Sequence, residues 1–162
     1  MSDQTIPLTG KEKGSAYKAA IDAMEKAREK ARSVGIKGLA GVIKEAVFDK
    51  FAEVYAVSFV GIIPYFNDGD SCNYGVDGPN AFKDPGLDDE EGCANNIFSN
   101  IYENDFSTWS AVGEAKVLGE AVNKALGEIP VDNELFQEMF GEHAKIVFTR
   151  KNVFVREYTE HD

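Results

Sequence analysis

The sequence predicts an α+β domain, a largely antiparallel sheet of about four strands that arrive as two hairpins and pack against helices on one face. Three observations carry this prediction. Apolar residues recur at three- and four-residue steps through the first third and again between residues 108 and 140. β-branched and aromatic residues concentrate in 54–63 and 143–158, and turn-forming residues follow or divide each of these runs, so strands succeed one another without an intervening helix. With 162 residues, 43% of them hydrophobic, the chain holds enough apolar material for one core, and 1–162 is read as a single domain.

The elements follow in order. Residues 1–14 are polar and are expected to form a flexible N-terminus. From Ser15 to Ala31 the stripe Tyr17, Ala20, Ile21, Met24, Ala27 and Ala31 predicts an amphipathic helix, supported by Asp22 with Lys26 and Glu25 with Arg28, and Gly35 is read as its stop. A second helix is predicted from Ile36 to Phe51, on the stripe Ile36, Leu39, Ile43, Val47 and Phe51. The two should form a hairpin that turns both apolar faces to a common core. Val54 to Ile63 reads as a strand ended by Pro64, Asn67 to Asp70 as a tight turn, and Ser71 to Val76 as a shorter returning strand.

Residues 77–96 carry two prolines and no sustained period, and are read as a long acidic loop. A helix is predicted from Thr108 to Leu126, with Val112, Ala115, Leu118, Val122 and Ala125 on one face. Asp132 is the expected N-cap of a short helix through Phe140, Val131 and Phe136 stand where a hydrophobic staple forms, and Gly141 is the stop. His143 to Arg150 and Val153 to Tyr158 then read as a hairpin around Lys151 and Asn152.

Charge narrows the function. The chain carries 28 acidic and 17 basic residues, a net charge of −11, which disfavours direct binding to nucleic acid because phosphate contacts depend on Lys and Arg. The excess is local. Residues 1–52 hold 10 basic and 7 acidic groups, residues 53–110 hold 1 and 11, and residues 111–162 hold 6 and 10, giving +3, −10 and −4. Such a concentrated field suits a basic protein partner, and Asp77, Asp84, Asp88, Asp89, Glu90 and Glu91 are the candidate contact residues. In its strongest form the carboxylates would imitate a row of phosphates. A counter-current of Lys26, Arg28, Lys30 and Arg32 crowds the first helix, where an acidic partner or RNA could also bind. No apolar run approaches the ~20 residues that span a bilayer, so no membrane role is expected and the cytoplasm is the expected location.

Other chemistry is weaker. Tyr65, Asn67, Asp68 and Asp70 form an alternative ligand site for a small molecule, nucleotide or divalent metal, the aromatic supplying a wall and the carboxylates the ligands. Asp68 does not open an EF-hand loop, since the required glycine position holds Asn73 and the twelfth residue is Pro79. Cys72, Cys93, His143 and His161 match the ligand count of a zinc site but lack a close pair to preorganise it. Gly35, Gly38 and Gly41 follow no strand and precede no Gly-Lys-Ser or Gly-Lys-Thr, which argues against a phosphate loop. There is no nucleophile elbow. No catalytic residue, metal or cofactor is therefore assigned.

Two segments, PYFNDGDSC from Pro64 to Cys72 and FGEHAKIVFTR with VREYTEHD from Phe140 to Asp162, resemble segments of small bacteriophage and bacterial proteins of unassigned function. The resemblance implies a phage-type accessory or inhibitor protein that acts on a host macromolecule, a basic and nucleic-acid-binding protein by the charge argument. A structural or assembly subunit that pairs with a second copy of itself is the remaining alternative.

Overall fold

The computed structural model describes residues 4–63, 73–99, 106, 108 and 111–157. Four strands form one antiparallel sheet in the order β2-β1-β3-β4, with β1 Ala56–Ile62, β2 Gly75–Phe82, β3 Ala144–Thr149 and β4 Val153–Glu157. Each hairpin pairs internally, and β1 joins β3, from Ala56 opposite Thr149 to Gly61 opposite Ala144. The predicted α+β class and the two-hairpin sheet are present.

Alternation along the strands divides the buried side chains between two faces. Val57, Phe59, Ala81, Ile146 and Phe148 point into the main core, shared with α1 (Gly14–Ile43), α3 (Glu114–Gly127) and α4 (Asn133–Phe140). At its centre Phe59 meets Phe136 at 5.0 Å and Phe148 at 5.9 Å in tilted and edge-on contacts. The opposite face carries Ala56, Phe82 and Val147, covered by Ala94, Ile97 and Phe98 of α2 (Glu90–Ser99). The expectation of helices on one face is thus corrected: α1, α3 and α4 cover one face, and α2 covers part of the other because Ala56, Phe82 and Val147 leave that face apolar as well.

The predicted helical hairpin is corrected. α1 runs without interruption for 30 residues and continues into a wide π-type turn over Lys44–Phe48, where the Asp49 amide donates to the Lys44 carbonyl at 2.8 Å. Gly35 does not stop the helix. It lies inside it, where a Cβ would stand 2.7 Å from the Met139 sulfur, so this glycine admits α4 rather than ending α1. Only the C-terminal part of α1 enters the core, through Leu39 and Ile43, while Tyr17 (72% exposed) and Met24 (57%) remain in solvent. The amphipathic stripe before Ala31 is thus not core. Farther along, α1 is fastened to α4 by Arg32, whose Nε donates to the Glu138 carbonyl at 2.8 Å, and by Arg28 and Arg32 beside the Glu138 carboxylate.

The segment read as a long acidic loop is also corrected. Residues 77–82 complete β2, residues 90–96 lie in α2, and only 83–89 connect the two. The proline that argued against a strand sits at a bulge: the β1–β2 register shifts between Ser58 and Val60, opposite the cis Gly78–Pro79 bond. The helix predicted from Thr108 begins at Glu114, after Gly113 at φ 63°, and Val112 is exposed. The reading of α4 agrees with the structure, since Asp132 accepts the Leu135 amide at 2.8 Å and Gly141 follows at φ 89°. No helix among the described residues is long and apolar enough to cross a membrane.

Two glycines give opposite expectations. At Gly78 (φ +111°) a Cβ would stand 2.7 Å from the Ser58 carbonyl oxygen, so Gly78→Ala should destabilise the fold by about 2–4 kcal/mol in urea denaturation. Gly38 lies within α1 with nothing within 4 Å of its Cβ position, and Gly38→Ala should stabilise by about 0.5–1 kcal/mol. Equal effects at the two positions would contradict this packing.

Candidate functional site

The carboxylates predicted to bind a partner converge where β2 hands over to α2. Beyond Phe82 the chain turns, with Asp84 Oδ1 accepting the Gly86 amide at 2.8 Å and Gly86 at φ +77°. Asp89 caps α2 by accepting the Gly92 amide, and the Cys93 amide donates to the Asp89 carbonyl at 3.0 Å. Glu90 and Glu91 occupy the first turn, where the helix dipole favours negative charge. Glu90 reaches across to the β3–β4 turn, accepting from the Thr149 hydroxyl and from Asn152 Nδ2, the latter at 2.9 Å. One carboxylate thereby ties the upper layer to the sheet.

The result is a cleft of about 390 Å³ lined by Asp84, Asp88, Asp89 and Glu90, with Tyr55 and Leu87 as its apolar wall and Thr149, Arg150 and Lys151 along its far side. Leu87 is 48% exposed. Asp88 has neither a hydrogen bond nor an ion pair among the described residues, whereas Asp84, Asp89 and Glu90 are engaged in the bonds above. Glu91 is exposed on the first turn of α2 and does not line the cleft. Asp77 is elsewhere: it stands on β2, at a small hollow shared with Asn80, Phe98 and Lys145. Four of the six predicted residues thus share one cleft.

Burial pushes the Tyr55 phenol above its ordinary value of 10.0, and its hydrogen bond to Cys93 and the negative field of Cys93, Glu90 and Asp84 push it further. The carboxylate side of the cleft is acceptor-rich and suited to an ammonium or guanidinium group, while Arg150 and Lys151 stand on the far side. Cys93 is a buried free thiol whose sulfur lies 3.5 Å from the Leu87 carbonyl oxygen, and it faces no solvent from which to react.

The alternative ligand residues Tyr65, Asn67, Asp68 and Asp70 lie outside the described residues, as do Cys72 and His161. Among the described residues no three His, Cys, Asp or Glu side chains converge as metal ligands. His143 is half-buried immediately before β3, and its Nδ1 has no hydrogen-bond partner among the described residues. Sequence reasoning missed Tyr55 and Leu87 as cleft walls and Thr149 and Asn152 as partners of Glu90. A signal for α2 was present, because Asp88, Asp89, Glu90 and Glu91 before an apolar run form the acidic start of a helix. Nothing local in the sequence links Glu90 to Thr149. Comparison of the chain with protein families, curated proteins and solved structures finds no match.

The raised Tyr55 value fixes a pH dependence. The folded chain holds this proton more tightly than the unfolded chain, so the contribution is complete below pH 10 and is lost as pH rises from there through the folded value. Alkaline titration at 295 nm should give the same amplitude up to about pH 11 for wild type and Tyr55→Phe. Loss of one tyrosine's amplitude near pH 10 in the variant would contradict a raised Tyr55 value.

Proposed function

We propose that the protein is a small, non-catalytic accessory or inhibitor protein that binds a basic, nucleic-acid-binding protein through the cleft formed by Asp84, Asp88, Asp89 and Glu90. The observation that carries this reading is the convergence of four carboxylates on one cleft beside the exposed Leu87. A Lys or Arg side chain of the partner would enter between Asp88 and Asp89, its stem lying against Leu87 and its charge received by the carboxylates. Glu91 extends the negative surface outside the cleft. The excess of −10 in residues 53–110 adds a long-range field that draws a cationic partner before contact, and that field shortens to about 8 Å at physiological salt.

The phage-type resemblance of Pro64–Cys72 and Phe140–Asp162 supports a host protein as the target, with the host cytoplasm as the place of action. Direct DNA binding does not fit a partner surface built from carboxylates.

Affinity capture from bacterial lysate tests this reading. The wild-type chain should retain a basic protein at about 50 mM salt and release most of it at about 500 mM. Asp88→Lys with Glu91→Lys, both solvent-exposed positions, should abolish retention without unfolding the chain. Recovery of no partner at low salt, or equal recovery by the charge-reversed variant, would sink the proposal.

A further inference from the structure

The β3–β4 turn is a ridge between two clefts of opposite character. On the side away from the carboxylates it faces the last turns of α1 across a cavity of about 380 Å³. Ile36, Ala40, Phe48 and Val153 supply an apolar floor. Around them stand Lys37, Lys44, Arg150 and Lys151, and among the described residues no carboxylate lines the cavity. In a chain of net charge −11 this is a local reversal of sign. Asp49 offsets part of it from outside, since both its oxygens lie 2.9 Å from Lys44 Nζ. Arg150 is fixed in place by three backbone carbonyls, so its charge is held at the cavity rather than swung into solvent. Gly41 lines the cavity and would have nothing within 4 Å of a Cβ, so the absence of a side chain there keeps the space open.

We propose that this cavity is a binding site for a small organic anion, one apolar body carrying a phosphate, sulfonate or carboxylate group. The apolar body would lie on Ile36, Ala40 and Phe48, and the anionic group would face Lys37 and Lys151. The volume falls within the range of small-ligand sites, roughly 300–1,000 Å³. Thr149 and Asn152 are already committed to Glu90 on the other side of the ridge, so recognition rests on the cationic groups and on shape. The two clefts share Thr149, Arg150 and Lys151 along the ridge, and Lys37 and Lys44 belong to this one alone.

The probe is 8-anilinonaphthalene-1-sulfonate, an aromatic body with one sulfonate, titrated into the full chain and followed by fluorescence. Saturation at one equivalent is expected. Gly41→Leu should abolish it by filling the cavity, and Lys37→Glu with Lys151→Glu should weaken it by about fivefold or more, with higher salt acting in the same direction. Amide NMR shifts should map to Ile36–Lys44 and Thr149–Val153. No saturable binding, shifts mapping elsewhere, or unchanged affinity in the Lys37→Glu/Lys151→Glu variant would overturn the proposal. Those two lysines are exposed, so their variant remains decisive even if Gly41→Leu disturbs the helix.

Discussion

The guanidinium of Arg150 joins the helical side of the molecule to its sheet. It follows the last residue of β3 and donates to the carbonyls of Phe48 at 2.8 Å, Phe51 at 3.1 Å and Val54 at 3.1 Å, while lying 5.0 Å above the Phe48 ring. The Phe48 carbonyl closes the π-type turn, where helical carbonyls lack internal partners and the dipole is negative, and those of Phe51 and Val54 lie on the exit toward β1. A planar cation with several fixed donors suits that place as no ammonium does. The clamp holds the end of the π-type turn and the chain leading into β1 against the β3–β4 turn. The two clefts are the spaces left on either side of that turn.

Much of the architecture was legible in the sequence because it rests on local periodicity. The strand runs alternate or carry β-branched residues, and the Asp132 cap, the α4 helix and the Gly141 stop are neighbours in the chain that act on one another directly. What was not legible depends on contacts distant in sequence. Gly35 carries the same local signal whether it stops a helix or admits Met139, and only the arrival of α4 more than a hundred residues later decides between them. Pro79 argued against a strand until its place at a bulge opposite Ser58 and Val60 was known. The candidate site divides in the same way. Asp84, Asp88, Asp89 and Glu90 were identified by composition, yet their shared cleft with Tyr55 and Leu87 arises from tertiary packing.

The net charge of −11 also acquires structure. Several carboxylates act close to home: Asp84 and Asp89 order their own turns, Glu90 bridges two layers, and Glu138 receives Arg28 and Arg32. The cations are gathered with equal economy, on α1 and at the ridge that separates the clefts. A chain acidic in total thus presents one anionic and one cationic concavity on either side of a single hairpin turn, and the same clamp positions both.

The direct test of that dependence is urea unfolding of Arg150→Lys, which keeps the charge and removes the planar fork. One ammonium cannot serve the Phe48, Phe51 and Val54 carbonyls together in the geometry they present, so the stability should fall by about 2 kcal/mol or more. A variant within about 0.5 kcal/mol of wild type would contradict the role of this clamp as the junction on which the fold and both clefts depend.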